Sequence, residues 1–277
     1  MTTHGWFADT AVRDADAAAD AVRNGHADAP ENWPAAAVED GVVDDADEYY
    51  DRLRDATRAA TRAAVRERER ADDQQLVHAV RTIADLSDAA NEVAERAVEW
   101  ARTLFDGVDD GIAGARDVAG RSANSPTEER AIALCERATD LADERDRAQG
   151  FVETHAPTVA PNLSMLAGPV LAARLIALAG GLDDLAKLPS GTVQVLGAED
   201  ALFAHLRGHA PSPKHGVIYT HEYVRGTHPD QRGSAARALA GKLTIAARVD
   251  HYSGDRRPDL EAELDARMER IRARETE

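Results

Sequence analysis

The chain has 277 residues, enough for one large or two modest domains with a substantial core. Its 33 basic and 50 acidic residues give a formal charge of -17, and a single cysteine, Cys135, excludes both an internal disulfide and a multi-cysteine zinc site. No run approaches the roughly 18 apolar residues of a membrane span, and "MTTHGWFADT" has neither the basic region nor the apolar core of a leader, so a soluble, cytoplasmic protein is expected.

The cations are almost all arginine, with lysine only at 187, 214 and 242. An acid-rich, lysine-poor chain with its carboxylates spread over helix faces is the composition of a halophilic protein, kept hydrated in concentrated salt. The charge is uneven. Residues 161–277 carry 15 basic and 15 acidic groups, so the whole excess lies on residues 1–160. Within 187–248 there are eight Lys or Arg, four Asp or Glu, and five of the ten histidines.

Residues 1–70 are rich in Ala and Asp, with "DAPENWPAAAVEDG" as a loop. Trp6, Phe7, Trp33, Tyr49 and Tyr50 are too many aromatics for a purely solvating tail, which predicts a small domain of α+β or partly disordered character. Residues 71–155 read as a helical hairpin. Leu76, Ala79, Ile83, Leu86, Ala90, Val93, Ala97, Trp100 and Leu104 step by alternating three and four residues, a coiled-coil seam. After a Gly-containing connection over 106–125, "SPTEE" starts a second helix with a serine cap, proline in the first turn and acids. Ala131, Leu134, Ala138, Leu141, Arg145, Ala148 and Val152 repeat the stepping, so the two helices fold back antiparallel. An exposed seam on such a hairpin invites a second copy, with Ile83, Leu86, Val93, Leu134 and Leu141 as dimerisation residues.

From about 156 to 257 the chain is apolar on more than one face and punctuated by Gly168-Pro169 and Gly180-Gly181, the pattern of closely packed buried helices. Cys135, among helical apolar residues, is expected buried and inert. Residues 258–277 read as a charged C-terminal helix or tail, solvated or frayed.

Chemistry was sought first in the histidines. His205 and His209 stand at i, i+4, with His215, His221 and His228 following, but Gly208 is expected to end the helix between the first pair and no acid stands at a zincin-like spacing. No nucleophile elbow or phosphate-binding glycine loop is present. A histidine-based metal enzyme is therefore the weak alternative, and neither a metal nor a cofactor is expected. Nucleic-acid binding fits better. Lys187, His205, Arg207, Lys214, His215, Arg225, Arg232, Arg237, Lys242 and Arg248 recur through one apolar-rich domain on loops and helix ends, suited to phosphates and unstacked bases. On an acidic protein, about half of these should pair with carboxylates.

The stretch "APNLSMLAGPVLAARLIALAGGLDDLAKLPSGTVQVLGAEDALFAHLRG", followed by "PSPKHGVIYTHEYVRG" and "RGSAARALAGKLTIAARVDHYSG", resembles the Nop domain of the archaeal core protein of box C/D small ribonucleoproteins. The likeness runs from about 156 to 254, and "EWARTLF" in the preceding hairpin also fits. The resemblance implies a mainly α fold: an antiparallel coiled-coil hairpin, then a compact all-helical Nop domain, with residues 1–70 a reduced N-terminal region that would hold fibrillarin. It implies a non-catalytic, RNA-binding scaffold that directs 2′-O-methylation in RNA processing. Its partners would be a box C/D guide RNA, a kink-turn-binding ribosomal-type protein, fibrillarin, and a second copy through the coiled coil. S-adenosylmethionine would belong to the methyltransferase. Carried over by position, Lys214 in "SPKHG" is the first candidate for RNA contact. His215 and the backbone at Gly197 and Ala198 come next, then His205, Arg207, Arg225, Arg232, Arg237 and Lys242. Arg248 is assigned a structural role, and Gly168-Pro169, Leu188, Pro189, Phe203 and Tyr219 are assigned to packing, with Leu202 and Leu206 anchoring the same helix to the core. A structural adaptor without RNA binding is the alternative from another class.

Overall fold

The structure, a computed structural model, describes residues 5–7, 14–26, 29 and 31–273. All regular elements among them are helical, and the chain divides into two units, Met1–Ala71 and Asp72–Glu277.

In the first unit, α1 (Ala15–Asn24) starts at Asp14, whose carboxylate accepts from the backbone N–H groups of Asp16 and Ala17. A short α2 (Trp33–Glu39) follows, and α3 (Ala46–Arg70) starts at Asp45, which caps the Glu48 N–H. Phe7, Ala37, Val43 and Tyr49 are buried together, and the Trp6 indole donates to the Tyr49 hydroxyl at 3.2 Å. The Arg23 guanidinium ties α1 to Glu67 on α3 at 2.5 Å. The α+β or partly disordered character expected for this region is not found among its described residues. Alanine-rich segments with aspartate caps and no period-two alternation form helices, and the aromatics supply the missing core.

The second unit begins with α4 (Asp72–Ala101), α5 (Gly111–Ala119) and α6 (Pro126–Val159). Ser125 caps α6 by accepting from the Glu128 N–H, with Pro126 in the first turn. The C-terminal turns of α4 pack against the N-terminal turns of α6, and Leu76 and Val77 share a core with Val152 and Ala156, so the pair is antiparallel. The 106–125 connection is itself structured, because α5 packs on both long helices. Helix α6 runs through Pro157 to Val159, four residues past the expected hairpin boundary.

The seam agrees with the expected stepping at Leu76, Ala90 and Ala97 but then shifts by one residue. Ala94, Val98 and Ala101 are buried, while Val93 is half-buried and Trp100 is 38% exposed. Across from them lie Ala131, Cys135, Ala138 and Ala142, all fully buried. Alanines facing alanines let two helix backbones approach closely, and the larger side chains are displaced to the rim. The five dimerisation candidates, Ile83, Leu86, Val93, Leu134 and Leu141, are accordingly half-buried, and Val93 and Leu134 line an open cleft of about 510 Å³ with Glu92 and Arg96. Burial raises the Cys135 thiol pKa above its ordinary value.

The remainder of the unit contains α7 (Pro161–Ala167), α8 (Pro169–Ala179), α9 (Leu182–Lys187), α10 (Ser190–Val195), α11 (Glu199–Leu206), a 3-10 turn (Val217–Thr220), α12 (Glu222–Arg225), α13 (Arg232–Tyr252) and α14 (Asp259–Arg272). Gly168, at φ +76°, turns the chain by 116° between α7 and α8. No single helix among the described residues is long and apolar enough to cross a membrane. Helix α13 is the axis, in contact with α7, α9, α10, α12 and α14.

Helix α14 corrects the solvated or frayed reading of 258–277. Leu260, Leu264, Met268 and Ile271 recur at helical spacing and are at most 2% exposed, joined to the main core. The high charge lies on the opposite faces, where it masks an amphipathic stripe. The last four positions, 274–277, lie outside the described residues.

One buried polar network joins the ends of this domain. Asp250, 8% exposed near the end of α13, accepts from the Asn162 and Leu163 backbone N–H groups at 3.0 and 2.8 Å and from the Asn162 amide at 2.6 Å. Asn162 also donates to the Asp255 carbonyl and accepts from the Arg257 N–H. Asp250→Ala would leave three donors unsatisfied, at about 1–3 kcal/mol per buried orphan. The expected result is a loss of about 3 kcal/mol or more, read as a lower urea midpoint at unchanged slope, with Asp250→Asn losing less because one acceptor oxygen remains.

Candidate nucleic-acid interface

The loop between α11 and the 3-10 turn is held against the end of α10 by backbone pairing. Gly216 N–H donates to Gln194 O and Val217 N–H to Leu196 O, both at 2.8 Å, and the Gln194 amide donates to Lys214 O at 2.7 Å. Two glycines make the crossing possible. A Cβ at Gly216 would stand 2.0 Å from Leu196 O, and Gly197, at φ +81°, would bring one to 3.2 Å from Leu178 and 3.3 Å from Val217.

The loop delivers a compact cationic group. Lys214 is exposed, with its aliphatic stem lying over Gly233 in the first turn of α13. His215 stacks on Tyr219 with centroids 4.6 Å apart, and the Arg232 guanidinium lies 5.5 Å from the same ring. Arg232 is held there by the Thr227 carbonyl at 3.1 Å and the Arg225 carbonyl at 3.4 Å. Among the described residues neither Lys214 nor Arg232 has a carboxylate partner, and neither do exposed Arg207 and Arg225.

Other candidates are not part of this group. Gly197 N–H already donates to the Glu199 carboxylate at 2.7 Å and Ala198 N–H to Val195 O at 2.9 Å, so the backbone donors expected to face RNA are spent inside the fold. His205 donates through Nδ1 to Ala210 O at 2.9 Å and closes its own loop. Arg237 and Lys242 lie further along α13 beside α14, where Lys242 pairs with Glu263. Lys187 pairs with Asp183, and Arg248 donates to the Ala186 carbonyl at 3.0 Å. Carboxylate pairing thus takes fewer of the ten basic and imidazole groups than the expected half. Helix α11 ends before Gly208, separating His205 from His209, and among the described residues no three His, Cys, Asp or Glu are placed to hold a metal ion.

The packing assignment of α11 is corrected. No residue of the helix is buried, Phe203 is 56% exposed and Leu206 is 71% exposed. Their spacing is that of a core stripe, and periodicity cannot distinguish a stripe facing the core from one facing a partner. The one local cue is that left-handed glycines at 197 and 208 bracket a helix only two turns long.

The His215 pKa is lowered from the ordinary 6.5, first by burial and then by the Arg232 and Lys214 cations. Because the fold favours the neutral ring, this contribution is intact above the ordinary imidazole value and is lost as pH falls through it. The expected outcome is an NMR titration of His215 with a midpoint below that of free imidazole, moved upward by Arg232→Ala.

The Nop family profile, described as "snoRNA binding domain, fibrillarin", matches residues 70–272. A NOP5 family protein of Methanocaldococcus jannaschii is 48% identical over 141 residues, covering 51% of this chain and 34% of that protein. Nucleolar protein 56 of Saccharomyces cerevisiae is 34% identical over 175 residues, 62% of this chain and 32% of that one. The chain thus spans about a third of the matched length of these relatives. Among solved structures, a chain of a crystallised fibrillarin/Nop5p complex superimposes with a TM-score of 0.56 at 24% identity over 92% of both chains, a likeness of fold. With the profile covering the hairpin, the cationic loop and every helix through α14, the chain belongs to the Nop family.

Proposed function

We propose that this chain is the non-catalytic, RNA-binding scaffold of a box C/D guide ribonucleoprotein that directs 2′-O-methylation. The observation that carries the reading is the pairing of two unlike surfaces. Cations without carboxylate partners, Lys214 and Arg232 on the Tyr219 platform, stand at one end of the Nop domain of a chain with charge -17. The loop bearing Lys214 leads directly back to α11, with its exposed Phe203 and Leu206. Phosphate suits the first surface and an apolar protein face suits the second. A kink-turn RNA already carrying its ribosomal-type protein offers both. The half-buried Ile83, Leu86, Val93, Leu134 and Leu141 would join two copies through the hairpin, and residues 1–71 would hold fibrillarin, with S-adenosylmethionine bound by that partner. The relatives' names and the solved fibrillarin/Nop5p complex support these assignments.

In near-molar salt, the setting the composition favours, the Debye length falls to about 3 Å, so recognition rests on short contacts. Kink-turn RNA preloaded with its primary protein is expected to retain the chain in such salt. Lys214→Glu should weaken retention about tenfold, and Phe203→Glu should weaken it on preloaded RNA while leaving the weak affinity for naked RNA unchanged. Equal binding of naked and preloaded RNA, or binding of neither, would show the composite-site reading to be wrong.

Deletion of residues 1–71 is expected to abolish fibrillarin capture while sparing RNA retention. A pull-down in which fibrillarin capture persists would place that contact elsewhere.

A further inference from the structure

Helix α14 packs its apolar stripe onto the core and leaves one flank beside α13, and between the two helices runs an open groove of about 570 Å³. Its cations are Arg237 and Lys242 from α13 and Arg267 and Arg270 from α14. Against these four stands one acid, Glu263, which is taken up by Lys242. Arg237 and Arg267 have no carboxylate partner among the described residues, and Arg270 donates only to the Ala266 carbonyl. Three guanidiniums thus face one trough in a chain where acids outnumber bases by 50 to 33.

The floor is made of small residues, Ala238, Gly241 and Ala266. It offers a ligand backbone close approach but no deep apolar socket, whereas a bound peptide needs anchoring pockets. Gly233, Arg237, Gly241 and Ile245 fall at i, i+4, i+8 and i+12, so they form one row along α13. The Lys214 stem lies over Gly233, the first member of that row, and Ile245, 41% exposed, stands at its far end. The groove therefore continues the cationic loop along a single helix face.

We infer that the α13/α14 groove is a second RNA-backbone site, gripping the strand that leaves the kink-turn contact at Lys214. Arg267 and Arg270, one turn apart at about 4.5 Å of rise, supply guanidinium forks to its phosphates, and bare Gly241 lets the sugar-phosphate chain lie against the helix. The inference rests on the RNA-scaffold reading, and its test separates the two.

The full chain is titrated with two preloaded kink-turn RNAs, one with a long stem and one with the stem cut short. The double variant Arg267→Glu/Arg270→Glu is expected to weaken long-stem binding about tenfold and to reduce its salt slope by about 1.5, with short-stem binding unchanged. Gly241→Leu fills the trough without changing charge. Nothing lies within 4 Å of a Cβ at that position, so the variant should fold and still lose long-stem affinity. Equal loss on both stems, or no loss while Lys214→Glu weakens both, overturns the groove. Arginine-dependent retention of polyglutamate with RNA binding unaffected overturns it in favour of an acidic protein. Failure of the unmodified chain to bind either RNA overturns the scaffold reading and the groove with it.

Discussion

The Nop half of the molecule depends on one buried carboxylate. Asp250 sits where α13 ends and accepts the first free N–H groups of α7, so the start and the end of the domain meet at one side chain. A helix N-terminus leaves backbone donors without intrahelical partners, and burying them without an acceptor is costly. The Asn162 amide extends the junction to the 255–257 segment that leads into α14. Through this one network the turn into the domain, its central axis and its last helix are placed relative to one another. The cationic loop inherits its position from that frame, since it rests on the first turn of α13 and on the end of α10 packed against the same helix.

Much of this frame could be read from residues because local chemistry and tertiary need agree. Ser125-Pro126 starts α6, Gly180 ends α8 in the left-handed conformation, and "APNL" and "AARVD" contain the two residues, Asn162 and Asp250, that bond across the fold. The hairpin register was only half legible. Heptad stepping rewards large residues, whereas the two helices chose the closest approach, which alanines at 94 and 101 and Cys135 permit. Helix α14 was misread because eight of its fourteen residues are charged, and mean polarity hides a stripe that only its period reveals.

The candidate site was legible in its cations and illegible in its geometry. Lys214, His215 and Arg232 come together as their residue types require, but the stacking platform that organises them, Tyr219, was assigned to packing. The backbone donors at 197 and 198 looked available because a glycine at a helix entry commonly offers them; nothing in the letters says that Glu199 folds back to occupy one. Phe203 and Leu206 show the complementary blind spot, for an apolar side chain without a core to meet is recognised only when the rest of the fold is in place.

That exposed helix also bears on how such a site responds to its solvent. Added salt shortens the reach of Lys214 and Arg232, while salts excluded from protein surfaces strengthen the drive to cover Phe203 and Leu206. The two halves of the surface therefore shift in opposite directions as ionic strength changes. A recognition site built this way trades electrostatic for apolar binding across a wide salinity range, and so buffers its own affinity.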